Sequence, residues 1–196
     1  MRRIYSILVF SFMAVMLAGC QPPGKPQYPE ITFDNLPPIQ LDVAEIIINT
    51  PYQEPLELPH VGEQFPVSPS RAARRWVEDR LRAVGSTGTA VVTIIESGAV
   101  EQELKRTTGV TGLLTKDQAQ SYEIAIEISI EADASTASGQ RKSSASMRVT
   151  KKTSVAEDAT FNEREATWYK LTKNAMNSFN EAMEKQIGKT MSGFMK

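Results

Sequence analysis

The sequence predicts an α+β fold, a two-layer sandwich in which two helices cover one face of a roughly four-stranded, mostly antiparallel sheet. The segment 122–131 alternates isoleucines with acidic or polar residues, which is typical of a strand in a sheet with one wet face. Segments 69–84 and 160–188 instead repeat apolar residues with the period of an amphipathic helix. The elements follow the order β-α-β-β-β-α, and such elements bury their apolar faces by stacking in layers.

The first two predicted elements are a strand over residues 38–48 and a helix over residues 69–84. The strand is rich in β-branched residues, and its alternation changes phase near Val43, which indicates a bulge. Ser68 supplies an N-cap, Pro69 suits the first helical position, and Gly85 suits the position after the helix. The apolar stripe of this helix comprises Ala73, Trp76, Val77, Leu81 and Val84.

Three further strands complete the predicted sheet. The first covers residues 89–104 and is expected to bend at Gly98, because its β-branched run is interrupted there. The central strand over 122–131 leads through a Ser- and Ala-rich turn over 133–140 into its hairpin partner, which carries Arg148 on the polar face. The apolar face of that partner is formed by Ala145, Met147 and Val149.

The second helix begins at a capping box and is followed by a short tail. Thr160 and Glu163 have the spacing in which each side chain bonds the other residue's backbone N–H, and the helical period then lasts until Gly188. Beyond it, Met191 and Phe194 lie in an otherwise polar segment. Either this tail packs back on the sheet, or it docks on a partner.

Residues 1–19 have the features of a secretion signal that is removed from the mature protein. A positive start at Arg2 and Arg3 precedes an apolar run of about fourteen residues, short of the roughly twenty that span a bilayer. The run ends in Leu17-Ala18-Gly19-Cys20, which resembles the lipobox of bacterial lipoproteins. The resemblance implies that the Cys20 thiol receives a diacylglyceryl group, and that cleavage exposes its amine to a further fatty acid such as palmitate.

Cys20 and Gln21 would then set the protein's location. Cys20 is the only cysteine, so no disulfide can form within the chain. Several acyl chains on one residue exceed the two signals needed for stable attachment, so the protein is expected to be anchored rather than spanning. By resemblance to lipoprotein sorting, Gln21 lacks the Asp that retains such proteins at the inner membrane. We therefore expect the periplasmic side of the outer membrane, with the inner membrane or cell surface as alternatives.

Proline content divides the mature chain. All eleven prolines lie between Pro22 and Pro69. Residues 20–37 are predicted to be a lipidated N-terminus and extended tether reaching on the order of 50 Å, and residues 38–196 a single α+β domain. Loss of residues 1–19 would change the formal charge from −1 to −3, because it removes two arginines. Such a balance gives no reason to expect nucleic acid as a partner.

The residue inventory disfavours an enzyme. His60 is the only histidine and lies in a proline-rich loop, so with Cys20 lipidated neither a Cys/His zinc site nor a His-based triad can be assembled. Glu123, Glu127 and Glu131 share one face of the central strand, but residues four apart on a strand are separated by about 13 Å, too far for one ion. We expect no catalytic residue, metal or cofactor.

Arg71, Arg74 and Arg75 are the candidate contact residues. They occupy the first turns of the first helix, where the macrodipole disfavours positive charge by a few tenths of a kcal/mol each. Glu78 and Asp79 lie four residues after Arg74 and Arg75, which favours a solvated helix face with exposed ion pairs. Alternatively, the three guanidinium groups contact the phosphates of a lipid headgroup or an acidic surface on a partner.

Together with the lipobox, the order of elements resembles small Gram-negative envelope lipoproteins. One likeness is to the plug lipoprotein of the lipopolysaccharide export pore, which packs two helices on a four-stranded sheet, and a second is to the lipoprotein partner of lipid-transporting ABC systems. The segment 75–85 is similar to a family of alphaproteobacterial lipoproteins and departs from the plug pattern, so no lipopolysaccharide-binding residue is carried over. The resemblance implies a non-enzymatic binding or assembly module in envelope biogenesis or lipid transport, with protein or lipid partners. The alternatives are a structural or surface-exposed lipoprotein and, third, a hydrolase of unrecognised type.

Overall fold

A computed structural model of the 196-residue chain describes residues 26–104, 118–136 and 139–196. Within these ranges two helices accompany a four-stranded sheet and a smaller two-stranded one, which confirms the predicted α+β fold. The helices are α1, Pro69–Arg80, and α2, Phe161–Thr190. The strands are β1, Ile39–Leu41; β2, Glu45–Asn49; β3, Leu81–Ala83; β4, Thr89–Glu103; β5, Gln118–Thr136; and β6, Gly139–Ala156. The described helices lack the sustained apolar stretch that a membrane span requires.

The four-stranded sheet has the order β2-β4-β5-β6 and is mostly antiparallel. Only β2 and β4 are parallel to each other, whereas β4, β5 and β6 form an antiparallel meander. The predicted turn over residues 133–140 is shorter than expected, because Asp133 pairs with Lys142 and the strands continue to Thr136 and from Gly139. An irregularity in the β4–β5 ladder lies at Ile95 rather than at the expected Gly98.

The core lies between the sheet and the helices, and β5 shows why. Its four isoleucines, at positions 124, 126, 128 and 130, are fully buried, while Glu123 and Glu127 lie on the opposite face. All charged residues of β5 are acidic and all those of β6 are basic, so the register places Glu127 opposite Arg148 and Glu123 opposite Lys152. Opposite charges across a ladder favour this register. The predicted assignment of the two faces is confirmed.

The first predicted strand is divided rather than bulged. Residues 39–41 pair in parallel with β3, and residues 45–49 join the main sheet beside β4. Between them Val43 is buried, and its carbonyl accepts a hydrogen bond from the Gly85 N–H at 2.9 Å. The phase change near Val43 therefore marks the passage of the chain from one sheet to the other.

Helix α1 ends at Arg80, four residues before the predicted end. Leu81 adopts an extended conformation and β3 begins there, paired with β1. Val84, expected on the buried stripe, is exposed. The helix stops early because pairing with a strand from the start of the domain satisfies the backbone groups of residues 81–83 in place of another helical turn.

Both ends of the described chain pack on the domain. Ile31 and Phe33, assigned to the tether from the sequence, are buried in the core, so the packed part begins before residue 38. At the other end Met191 and Phe194 are fully buried, which agrees with the packed alternative for the tail. The Phe194 carbonyl accepts a 2.7 Å bond from the Asp42 N–H. Hydrogen bonds from Lys196 and Arg141 also lower the pKa of the Asp42 carboxyl.

A buried polar network joins the two helices. The Arg80 side chain is almost fully buried and donates to the Asn180 Oδ1 at 2.9 Å, to the Glu184 carboxylate at 2.7 Å and to the Pro37 carbonyl. Trp76 Nε1 donates to the same Asn180 oxygen at 3.0 Å. One buried carboxamide oxygen thus serves two donors from α1, and the Arg80 charge is balanced by a carboxylate that is half exposed to water.

Candidate functional site

The candidate site is the surface at the start of α1. Ser68 caps the helix as predicted, because its hydroxyl accepts the Arg71 N–H at 3.3 Å. Beside this cap lies an open depression of about 430 Å³, lined by Glu63, Ser68, Ser70, Arg71 and Arg74. Two guanidinium groups and two hydroxyls are suitable hydrogen-bond donors for an anionic group. On one side the carboxylate of Glu63 opposes the binding of an anion.

The three predicted arginines each contact a different partner. Arg71 pairs with Glu30 at 3.5 Å, both side chains being about half exposed, and it also donates to the Pro66 carbonyl at 3.0 Å. Arg74 donates to the Thr50 hydroxyl at 2.9 Å. The sequence suggested no partner for Arg71, because Glu30 is brought to it only by the fold. Exposed contacts of this kind are worth little, so Arg71 and Arg74 can exchange them for a ligand.

Arg75 is held more firmly and lies outside the depression. Its Nε is 3.0 Å from the Asp79 carboxylate, one turn further along α1, as the sequence predicted. The same carboxylate accepts the Phe33 N–H at 2.8 Å. Asp79 thereby fixes both Arg75 and the N-terminal segment, which makes Arg75 a structural residue more than a contact residue.

A half-buried carboxylate in the loop after β2 was not predicted from the sequence. Glu54 Oε1 accepts the Ala99 N–H at 2.7 Å and the Gly62 N–H at 3.2 Å, so it binds the loop to the part of β4 that lies beyond its pairing with β2. Burial raises the pKa of Glu54, while these two backbone bonds oppose the rise. A Cβ at Gly62 would overlap the carboxylate. The glycine at this position is the only local signal that could have indicated the contact.

Tyr52 and His60 lie on the same loop. Burial, with nearby Glu54, raises the pKa of the Tyr52 hydroxyl to about 12, so it remains protonated at neutral pH. His60 forms a bridge with Val100 of β4, and its Nδ1 is buried without a hydrogen-bond partner among the described residues. The second Glu54 oxygen, Oε2, is likewise buried without a hydrogen-bond partner among the described residues. The backbone bonds of Glu54 Oε1 and the His60–Val100 bridge together hold the loop against β4.

The acidic row on β5 is arranged as an ion-paired surface. Arg148 contacts the carboxylates of Glu127, at 2.8 Å, and of Glu96 on β4. Glu131 lies opposite Ser144 and is exposed. In the part of the chain that the structure describes, no group of His, Cys, Asp or Glu side chains is arranged to hold a metal ion.

Cys20 and Gln21 lie outside the described residues, so their predicted roles stay predictions. Neither a scan against protein-family models nor a search of the curated proteins gives a match for this chain.

Proposed function

We propose that this protein is a lipid-anchored envelope lipoprotein that acts as a non-enzymatic binding or assembly module at the periplasmic side of the outer membrane. The observation that carries the proposal is the sequence Leu17-Ala18-Gly19-Cys20 at the end of an apolar signal run. The chain already contacts the folded domain at Tyr28, so a short segment separates the proposed anchor at Cys20 from the domain.

The exposed start of α1 supports a binding role. The Tyr28 ring packs at a tilt against Tyr169 with ring centroids 5.2 Å apart, and Glu30 pairs with Arg71. The N-terminal segment therefore passes directly beside the depression that Arg71 and Arg74 line. A partner or lipid phosphate that enters this depression would contact these two guanidinium groups, and bidentate donors suit such acceptors.

The anchoring step is tested by Cys20→Ser. Cells that make the variant should incorporate no labelled fatty acid into the protein and should accumulate the uncleaved precursor, whereas wild-type protein should carry lipid by mass spectrometry. A soluble wild-type mature form without lipid would contradict the proposal. Gln21→Asp should move the protein to the inner-membrane fraction, with Gln21→Asn as the matched control. Protease digestion of intact cells separates a periplasmic from a surface-exposed protein.

The binding role is tested by the double variant Arg71→Ala/Arg74→Ala. Because both side chains make only exposed contacts, the fold should be retained, while binding to anionic lipid or to an acidic partner should weaken and lose part of its salt dependence. Arg82→Ala, an exposed arginine on β3, is the control. If binding and its salt dependence were both unchanged in the double variant, Arg71 and Arg74 would have no role in binding.

A further inference from the structure

The most exposed apolar side chains of the described residues all lie at one end of the fold. Leu56 is 90%, Leu58 74% and Phe161 67% exposed, whereas every other exposed large apolar side chain in the described ranges is at most 42% exposed. Isolated exposed apolar residues are ordinary, but side chains this exposed and gathered at one end indicate an interaction surface.

The backbone contacts define this end. The Glu101 N–H donates to the Pro59 carbonyl at 2.8 Å, so the loop carrying Leu56 and Leu58 lies at the carboxyl end of β4. There β4 pairs with the beginning of β5, and β5 pairs with the end of β6, which leads into α2 at Phe161. All three side chains therefore project from the same end of the sheet.

The N-terminal segment joins the domain at this same end. The Tyr28 hydroxyl donates to the Asn162 carbonyl at 3.4 Å, next to Phe161. Eight residue steps separate Cys20 from Tyr28, which allow at most about 28 Å whatever the path. Helix α2 has 30 residues and is about 45 Å long, so the tether can bring the start of α2 to the anchor but is too short to bring its far end there.

From this placement, which rests on the proposed lipid anchor at Cys20, we infer that this end of the domain docks on the bilayer surface. Leu56, Leu58 and Phe161 enter the interface between headgroups and acyl chains. The occupant of the surface is thus the membrane that carries the anchor, because a tether of at most about 28 Å keeps this end of the domain within reach of the bilayer. Apolar side chains at an interface gain free energy in proportion to the area they bury.

Charged residues of both signs adjoin these three residues along the chain. Glu57 lies between the two leucines, and Glu163 and Arg164 follow Phe161 by two and three positions. The mixed charge means that apolar burial, and not attraction to anionic lipid, drives the docking. Docking should therefore persist at high salt and in vesicles of zwitterionic lipid alone, unlike binding through Arg71 and Arg74.

The test uses the lipidated full-length protein, in which the thiol of Cys20 is blocked and an introduced cysteine is the only free one. Leu56→Cys and Phe161→Cys are each labelled with an environment-sensitive fluorophore and reconstituted in phosphatidylcholine vesicles. Val84→Cys is the matched control, because Val84 is also an exposed apolar residue but lies beside Leu41, away from the Tyr28 end. Circular dichroism of each variant confirms that the fold is retained.

We expect probes at positions 56 and 161 to shift to the blue, brighten at least about twofold and be quenched by lipid-borne quenchers, as side chains in the interface do, while the probe at 84 stays in water. Protein that floats with the vesicles while all three probes remain water-exposed, or all are quenched alike, overturns the inference and leaves the anchor intact. Protein that does not float refutes the anchor at Cys20 itself. If the probes respond in native envelope membranes but not in lipid vesicles, the surface contacts a protein partner rather than lipid, and the inference is overturned.

Discussion

Removing the carboxamide of Asn180 tests the buried polar network that joins the two helices. Its Oδ1 accepts hydrogen bonds from Trp76 Nε1 at 3.0 Å and from Arg80 Nε at 2.9 Å. Trp76 is fully buried and Arg80 is only 1% exposed, so neither donor can turn to water. Asn180→Ala therefore leaves two buried donors, one of them on a charged group, without their acceptor.

The expected loss follows from these two donors. A buried donor left unpaired costs about 1–3 kcal/mol, and more when it belongs to a charged group. The shortened side chain adds a small cavity term. Because Arg80 keeps its bonds to Glu184 and Pro37, the guanidinium charge remains compensated. We expect Asn180→Ala to lower the free energy of unfolding by about 3–5 kcal/mol, a large share of the roughly 5–15 kcal/mol typical of a domain.

Urea denaturation followed by far-ultraviolet circular dichroism measures this change. Asn177→Ala is the matched control, because Asn177 is exposed on the same helix and its loss should change the free energy by no more than about 0.5 kcal/mol. Asn180→Asp retains an oxygen acceptor for both donors and should be far milder than the alanine variant. A loss below about 1 kcal/mol for Asn180→Ala would refute the reasoning that the two donors depend on this oxygen.

Three further outcomes test other parts of the structure. Ile128→Asp places a carboxylate on the fully buried face of β5 and should prevent cooperative folding. By the same denaturation assay, Glu127→Gln should lower the free energy of unfolding by no more than about 1 kcal/mol. Equal effects of the two variants would mean that the faces of β5 are assigned wrongly. Phe194→Ala removes a fully buried ring and should lower the free energy of unfolding by about 3–5 kcal/mol. In thermal melts the control is Met195→Ala, which changes a more exposed side chain and should have a small effect. If Phe194→Ala left the melting temperature unchanged, the tail would not be part of the core. The pKa of Glu54 is raised above its ordinary 4.5, so the folded state binds the proton more tightly than the unfolded one. The free energy of unfolding of the wild type, relative to that of Glu54→Gln, should therefore rise as the pH falls from the raised pKa toward 4.5, and it should not change further below 4.5. If the difference in free energy between the two proteins were the same at every pH, this prediction would be contradicted.

Much of the fold was accessible from local patterns in the sequence. The alternation of β5 specified its buried and wet faces, because successive side chains of a strand point to opposite sides. The Ser68–Pro69 start of α1 and the Thr160–Glu163 capping box were also predicted correctly, since capping involves residues within one turn of each other. Each of these features depends on interactions among close neighbours in the chain.

The candidate site shows the limit of such reasoning. The sequence indicated Arg71, Arg74 and Arg75 as one group, and the neighbour Asp79 of Arg75 was evident from helical spacing. The partners Glu30 of Arg71 and Thr50 of Arg74 were not, because they come from segments that only the folded chain brings to α1.

The sequence by itself determined the two amphipathic helices and the orientation of the central hairpin, and it carries the apolar run with a lipobox-like end on which the proposed anchor depends. Tertiary structure alone decided that α1 stops at Arg80, that residues 38–48 divide between two sheets, and that the half-buried Glu54 bonds to β4. It also decided that Leu56, Leu58 and Phe161 project from the end where the N-terminal segment joins. The physical reason is the same in each case: a backbone group or buried charge must find a partner, and that partner can lie anywhere along the chain.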